Sequence, residues 1–175
     1  MTQIPNYLTL LRIILIPFYI NYFLQQNYLI SGSIFTFSII TDFLDGYIAR
    51  KFNLESPLGK IMDPLADKIT VISVLSVFYL LKLIPEYLAL ILLIREFTIL
   101  IFSSITFLWG YNLIKPTKVG KIAMFILYLA LASKLMGFSS TGKLLIYTAI
   151  PLNLISALDY LISGWKFFKK PYNLF

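Results

Sequence analysis

The sequence predicts an all-α, polytopic membrane protein with six transmembrane helices, and three observations carry that prediction. Of the 175 residues, 59% are hydrophobic and only 13% charged, whereas a soluble domain carries about 25% charge. Apolar stretches of membrane-spanning length recur along the chain, separated by short polar punctuation. Lys and Arg gather on alternate connections between those stretches. This composition excludes a water-soluble enzyme, and the length suits a single six-helix membrane domain spanning residues 1–175.

The first stretch, 7–24, follows Pro5 and Asn6 and carries Thr9 and Arg12 on its opening turns. No basic segment precedes it and no small-residue cleavage site follows, so a retained helix is expected and not a signal peptide. The second, 31–49, ends among acids. The third, 60–81, opens behind Ser56 and Pro57, an N-cap and a first-turn proline. The fourth, 87–109, is interrupted by Arg95 and Glu96. The fifth, 119–137, starts among Lys118, Gly120 and Lys121 and holds Lys134, expected to snorkel to the opposite interface. The sixth, 144–163, contains Pro151, where a kink is expected. Behind it, Phe167, Phe168, Tyr172 and Phe175 surround Lys169 and Lys170, the composition of an interfacial tail.

Of the 15 Lys and Arg, nine lie at the connections after the second, fourth and sixth stretches, and only Lys82 and Lys143 on the other side. That asymmetry places both termini in the cytoplasm. The net charge of +7 is accounted for by this bias and by attraction to anionic lipid; no basic segment stands apart from the membrane frame, so nucleic acid is not an expected partner.

The chain has neither Cys nor His, which removes disulfides, thiol nucleophiles, the commonest general base and the commonest transition-metal ligand. Acid–base and metal chemistry must therefore run on carboxylates. Half of the eight acids, Asp42, Asp45, Asp63 and Asp67, fall in the second and third apolar stretches, where one carboxylate costs about 2.5–3.5 kcal/mol at a bilayer centre. On a helix Asp42, Asp45 and Ala49 form one stripe, and Gly59, Asp63 and Asp67 another. A tight helical hairpin on the cytoplasmic side would make the two stripes converge. Nearby Arg50, Lys60 and Lys68 could neutralise part of the charge, and a buried ion-pair cluster fixing helix register is the structural alternative.

Four oxygen donors without His or Cys suit hard divalent cations, two of them, Mg²⁺ first and Mn²⁺ or Ca²⁺ next. Gly46, Ala49 and Gly59 leave room for a ligand to approach the backbone. Gly59 lies in a first helical turn, which favours an anion, and Arg50 offers a guanidinium fork for phosphate. Together these residues point to a pyrophosphate substrate.

The run Asp42-x2-Asp45-Gly46-x2-Ala49-Arg50-x8-Gly59-x3-Asp63-x3-Asp67 resembles the signature of the CDP-alcohol phosphatidyltransferase family, with every position filled. Pro5-Asn6 with Thr9 and Arg12, the Asp63-Pro64-x-Ala66-Asp67-Lys68 run and Arg95-Glu96 resemble the phosphatidylglycerophosphate synthases within it. The resemblance implies transfer of a phosphatidyl group from CDP-diacylglycerol to a small alcohol, with release of CMP. It implies that Asp42, Asp45, Asp63 and Asp67 hold two divalent ions and that Asp67 is also the base. Asp45, Gly46, Ala49, Arg50, Gly59 and Asp63 would line the CDP-diacylglycerol pocket. A homodimer in the plasma (inner) membrane, with its active site facing the cytoplasm, is also implied.

Glycerol 3-phosphate as acceptor requires a second basic cluster, for which Arg95, Lys118 and Lys121 are the candidates. The two lysines serve equally well as positive-inside anchors. Adjacent residues do not face each other on a helix, so Arg95 and Glu96 are each expected to have an interhelical partner. Asn6, Thr9 and Arg12 form a polar edge that caps the pocket or anchors the helix end. One departure bears on the acceptor: after Gly120-Lys121 the chain continues Ile122-Ala123-Met124, where phosphatidylglycerophosphate synthases usually carry Lys-Thr and a Gln. Pro116-Thr117 is similar to eukaryotic-type cardiolipin synthases, which use phosphatidylglycerol. A cation transporter is the reading from another class, but it has no use for Ala49-Arg50 and Gly59 at fixed spacing.

Overall fold

A computed structural model describes residues 4–51, 59–108 and 117–168, without the side chains of residues 4–8, 45, 46, 48–50, 59–64, 102, 103, 105–108, 160, 161 and 163–168. Six helices make up the described residues, with no strand among them: α1 (Ile4–Leu24), α2 (Tyr28–Lys51), α3 (Gly59–Leu80), α4 (Glu86–Leu108), α5 (Lys118–Leu135) and α6 (Ser139–Phe168). Each apolar stretch of the sequence becomes one helix. The largest difference is α6, which runs five residues further at each end and passes through Pro151 without interruption. Ser56, Pro57 and the tail beyond Phe168 lie outside the described residues.

Three connections, α1 to α2, α3 to α4 and α5 to α6, share one local structure. In each, a residue with positive φ ends the helix: Gln26 at 63°, Lys82 at 52° and Gly137 at 86°. The amide after it donates back five residues, Asn27 to Tyr22, Leu83 to Phe78 and Phe138 to Ser133, each at 2.9 Å. The positive-φ residue itself donates to the carbonyl three residues before, at 3.0–3.1 Å. This is the Schellman closure, which satisfies carbonyls a helix end would leave bare. All three turns therefore lie at one end of the bundle, and the acidic segment lies towards the other.

Each hairpin packs on itself, and α1 also packs against α3, α2 against α5 and α4 against α6, so the helices form a closed ring in the order α1, α2, α5, α6, α4, α3. The ring's core is apolar towards the turns: Tyr19, Phe23, Phe35, Val74, Phe78 and Leu131 are buried there. Tyr19 meets Phe35 edge-on at 5.4 Å, and Phe23 meets Phe78 at 5.8 Å. Gly32 permits the close approach of α2 to the end of α5, since a Cβ there would lie 2.8 Å from the Met136 amide.

The outside of the ring is apolar as well. Ile14, Phe37, Leu65, Ile94, Phe125 and Leu158, one on each helix, are exposed. Exposed apolar surface on every helix marks contact with something other than water. Within the described residues, Ser139–Asp159 is long and apolar enough to cross a membrane, and Thr9–Leu24 and Tyr28–Leu44 are shorter apolar helices. Lys134 carries its ammonium to the turn end of the bundle, away from the acidic segment, but keeps it within the protein. It is buried, with its Nζ 3.1 Å from Ser139 Oγ at the start of the next helix.

Candidate active site

The acidic segment enters the site on two helices, with Asp42 on α2 and Asp67 on α3. Both carboxylates meet a third helix through Arg12 of α1. Its Nη1 donates to Asp67 Oδ1 at 2.5 Å and its Nη2 pairs with Asp42 Oδ1. Arg12 is buried, while the two carboxylates are each about one-third exposed. The guanidinium fork suits this role because its terminal nitrogens can serve two carboxylates at once. Thr9, one turn earlier on the same face, is also buried.

Among the described side chains, which do not include those of Arg50 and Lys60, the cation beside these aspartates is Arg12, which the sequence placed only on a polar edge. Lys68, expected to help neutralise them, turns to Glu96 instead. The physical reason is the packing order: α1 packs against both α2 and α3, which brings its buried face between the two acid-bearing helices. A signal for this was present in the sequence, an Arg inside an apolar stretch, but its partners depend on tertiary pairing. Asp45, Gly46, Ala49 and Arg50 fall within α2, Gly59 and Asp63 within α3 and Asn6 within α1; their side chains lie outside the described residues.

A second polar group lies beside the first. Lys68 Nζ on α3 is 2.6 Å from Glu96 Oε2 on α4, and Arg95 Nη1 donates to Glu96 Oε1. Arg95 also reaches Met124 Sδ of α5 at 3.1 Å and Ser156 Oγ of α6 at 3.4 Å. Interhelical partners were expected for both residues, and both have them. The expectation that Arg95 and Glu96 cannot meet each other is corrected: both side chains are long enough to curl around the helix to a common point. Gly120 lets α5 approach this group, because a Cβ there would lie 2.8 Å from Ser156 Oγ.

Of the candidate acceptor residues, Arg95 is buried in this group, whereas Lys118 and Lys121 are exposed at the start of α5. That helix is capped by Thr117, whose Oγ1 accepts from the Gly120 amide at 3.1 Å. The described partners of Arg95 do not include either lysine.

Asp42 and Asp67, from two helices, already direct carboxylate oxygens at one cationic side chain. In a chain without Cys or His that donor chemistry fits a hard divalent cation. The arrangement supports chemistry in which carboxylates hold positive charge and take up a proton.

Comparison with known proteins places the chain in a family. Residues 2–155 match the family model for CDP-alcohol phosphatidyltransferases. A protein of Rickettsia typhi named CDP-diacylglycerol–glycerol-3-phosphate 3-phosphatidyltransferase is 35% identical over 97% of this chain and 97% of its own length. Proteins of the same name are 35% identical in Aquifex aeolicus, over 94% of this chain and 97% of theirs, and 28% identical in Bacillus subtilis, over 97% and 95%. With the family model covering the whole acidic segment and both Arg12 and Arg95, the chain belongs to the CDP-alcohol phosphatidyltransferase family.

Proposed function

We propose that the protein transfers the phosphatidyl group of CDP-diacylglycerol to the hydroxyl of glycerol 3-phosphate, giving phosphatidylglycerophosphate and CMP. The observation that carries this reading is the convergence of Asp42 and Asp67, the first and last acids of the motif, on one buried guanidinium. The full-length relatives named for that reaction support the choice of acceptor. The exposed apolar exterior and the alternating basic connections support six membrane-spanning helices with cytoplasmic termini, in the plasma (inner) membrane. The site then faces the cytoplasm, and the acyl chains stay in lipid while the headgroup enters between helices.

In the mechanism, Asp67 accepts the proton of the acceptor hydroxyl as its oxygen attacks the lipid-side phosphorus. A new phosphate ester bond forms, the pyrophosphate bond breaks, and CMP leaves with the electron pair. Arg12 holds the Asp67 carboxylate and ties it to Asp42, so the base is fixed before the acceptor arrives. Asp42, Asp45, Asp63 and Asp67 would hold two divalent cations, Mg²⁺ first, whose charge stabilises the pyrophosphate and the leaving phosphate. Asp45, Gly46, Ala49, Arg50, Gly59 and Asp63 are proposed to line the CDP pocket, and Arg95, Lys118 and Lys121 to attract the acceptor's phosphate. A homodimer is proposed by family membership.

The test is an acceptor screen with purified protein, CDP-diacylglycerol and Mg²⁺, following CMP release. Turnover is expected with glycerol 3-phosphate, abolished by chelation and restored by added Mg²⁺. Product formed only with phosphatidylglycerol would overturn the choice of acceptor.

A further inference from the structure

We propose that Glu96 is the positioning residue of the acceptor's phosphate subsite. This rests on the reading that the acceptor carries a phosphate monoester, and it assigns Glu96 and Lys68 a role alongside Arg95. Glu96 is fully buried, and two cations from different positions converge on its carboxylate, Lys68 on one oxygen and Arg95 on the other. Within this group Lys68 and Arg95 exceed Glu96 by one positive charge, balanced among the described residues only by the neighbouring group, where Asp42 and Asp67 exceed Arg12 by one negative charge; the local excess at Arg95 suits an entering anion. Arg95 also keeps a donor in reserve: its Nε is buried and has no hydrogen-bond partner among the described residues. A buried donor without a partner is costly unless water or a ligand meets it.

The geometry links this subsite to the base. Lys68 directly follows Asp67 on α3, so the Glu96 contact that fixes Lys68 also fixes the rotation of α3 that presents Asp67. Arg95 is held from three sides, by Glu96, Met124 and Ser156, leaving its remaining edge to a phosphate oxygen. Glu96 touches no reacting atom in this account. It holds two cations at a fixed distance from the base, and so sets where the acceptor's hydroxyl lies relative to Asp67.

Two variants test the assignment in the purified full chain, by measuring KM for glycerol 3-phosphate and for CDP-diacylglycerol separately, alongside the thermal midpoint. Glu96→Asp keeps the charge but retracts the carboxylate by one methylene. It is expected to raise the acceptor KM about tenfold while leaving the CDP-diacylglycerol KM within twofold, with a fall in the midpoint that leaves the variant folded at the assay temperature. The double variant Glu96→Gln with Lys68→Met preserves the group's net charge without the carboxylate, and the acceptor KM is expected to rise at least as far. An unchanged acceptor KM in both variants, or parallel changes in both KM values, overturns the assignment while the proposed reaction stands. A wild-type protein that uses phosphatidylglycerol and not glycerol 3-phosphate overturns both, because a phosphodiester has no terminal dianion to place.

Discussion

The two ends of the helical ring are built on opposite principles. Towards the turns, Tyr19, Phe23, Phe35, Phe78 and Leu131 close an apolar core, and three Schellman turns close the helix ends with backbone hydrogen bonds. Towards the acidic segment, helices meet through ions: Arg12 with Asp42 and Asp67, and Lys68 and Arg95 with Glu96. Lys134, buried beside Ser139, is the exception at the turn end. In a membrane, apolar packing gives adhesion without chemistry, because lipid is as apolar as a leucine side chain. Buried ion pairs give chemistry at a cost in stability, since desolvation offsets most of their attraction. The turn end should therefore govern whether the protein holds together, and the acidic end what it does.

The largest expected effect belongs to the acidic end. Asp67→Asn should lower turnover by about 10²–10⁴, the usual share of a general base, with the thermal midpoint little changed because Asp42 still partners Arg12. CMP release in detergent, compared with the midpoint of the same preparation, checks this. Intact turnover would remove Asp67 as base and with it the chemical half of the contrast.

Phe78→Ala probes the turn end. Phe78 is fully buried against Phe23. Its truncation should cost about 2–4 kcal/mol, somewhat less than in a soluble core because lipid removes the transfer share of the loss. Both KM values should stay put at temperatures where the variant is folded. A shift in acceptor KM would show that packing at the turns reaches the site.

Arg12→Gln tests whether the division is clean, since Arg12 belongs to the acidic end but fastens three helices. Removing one partner of a fully buried pair costs about 3–5 kcal/mol. Here both carboxylates are about one-third exposed, and about 2 kcal/mol is expected after solvent screening. Added Mg²⁺ should recover part of the lost midpoint by taking over the two aspartates, a readout independent of turnover. A variant as stable as wild type with or without Mg²⁺ would show that Arg12 fastens nothing.

These two arginines also show how far the sequence reaches. All six helices follow from hydropathy, and the meeting of Asp42 and Asp67 follows from their stripes, because both signals are local and periodic. That Arg12 stands between them depends on α1 packing against both α2 and α3, which no local pattern encodes. The Arg95–Glu96 contact was hidden by a rule about Cβ directions that long side chains can evade. Gln26 and Lys82 gave no turn signal because neither is glycine, although both adopt a backbone conformation that glycine favours.

That last point makes the smallest prediction, and it concerns stability alone. Gln26 holds φ at 63° in a closure that Gly137 makes without a Cβ. A non-glycine residue in that region costs about 1–2 kcal/mol, partly offset in the comparison with glycine by the greater freedom of an unfolded glycine. Gln26→Gly should therefore stabilise by about 0.5–1 kcal/mol without changing either KM. Lys82→Gly should gain less, because it also loses the Lys82–Glu86 pair, 3.6 Å apart, with Glu86 the first residue of the next helix. Gly137→Ala should move the other way, since its φ is 86° and a new Cβ would sit 3.3 Å from that of Tyr28. Midpoints of the three variants in one detergent test that order. If any of them shifts turnover at a temperature where it is folded, the turns act on the chemistry and the two ends of the ring are not independent.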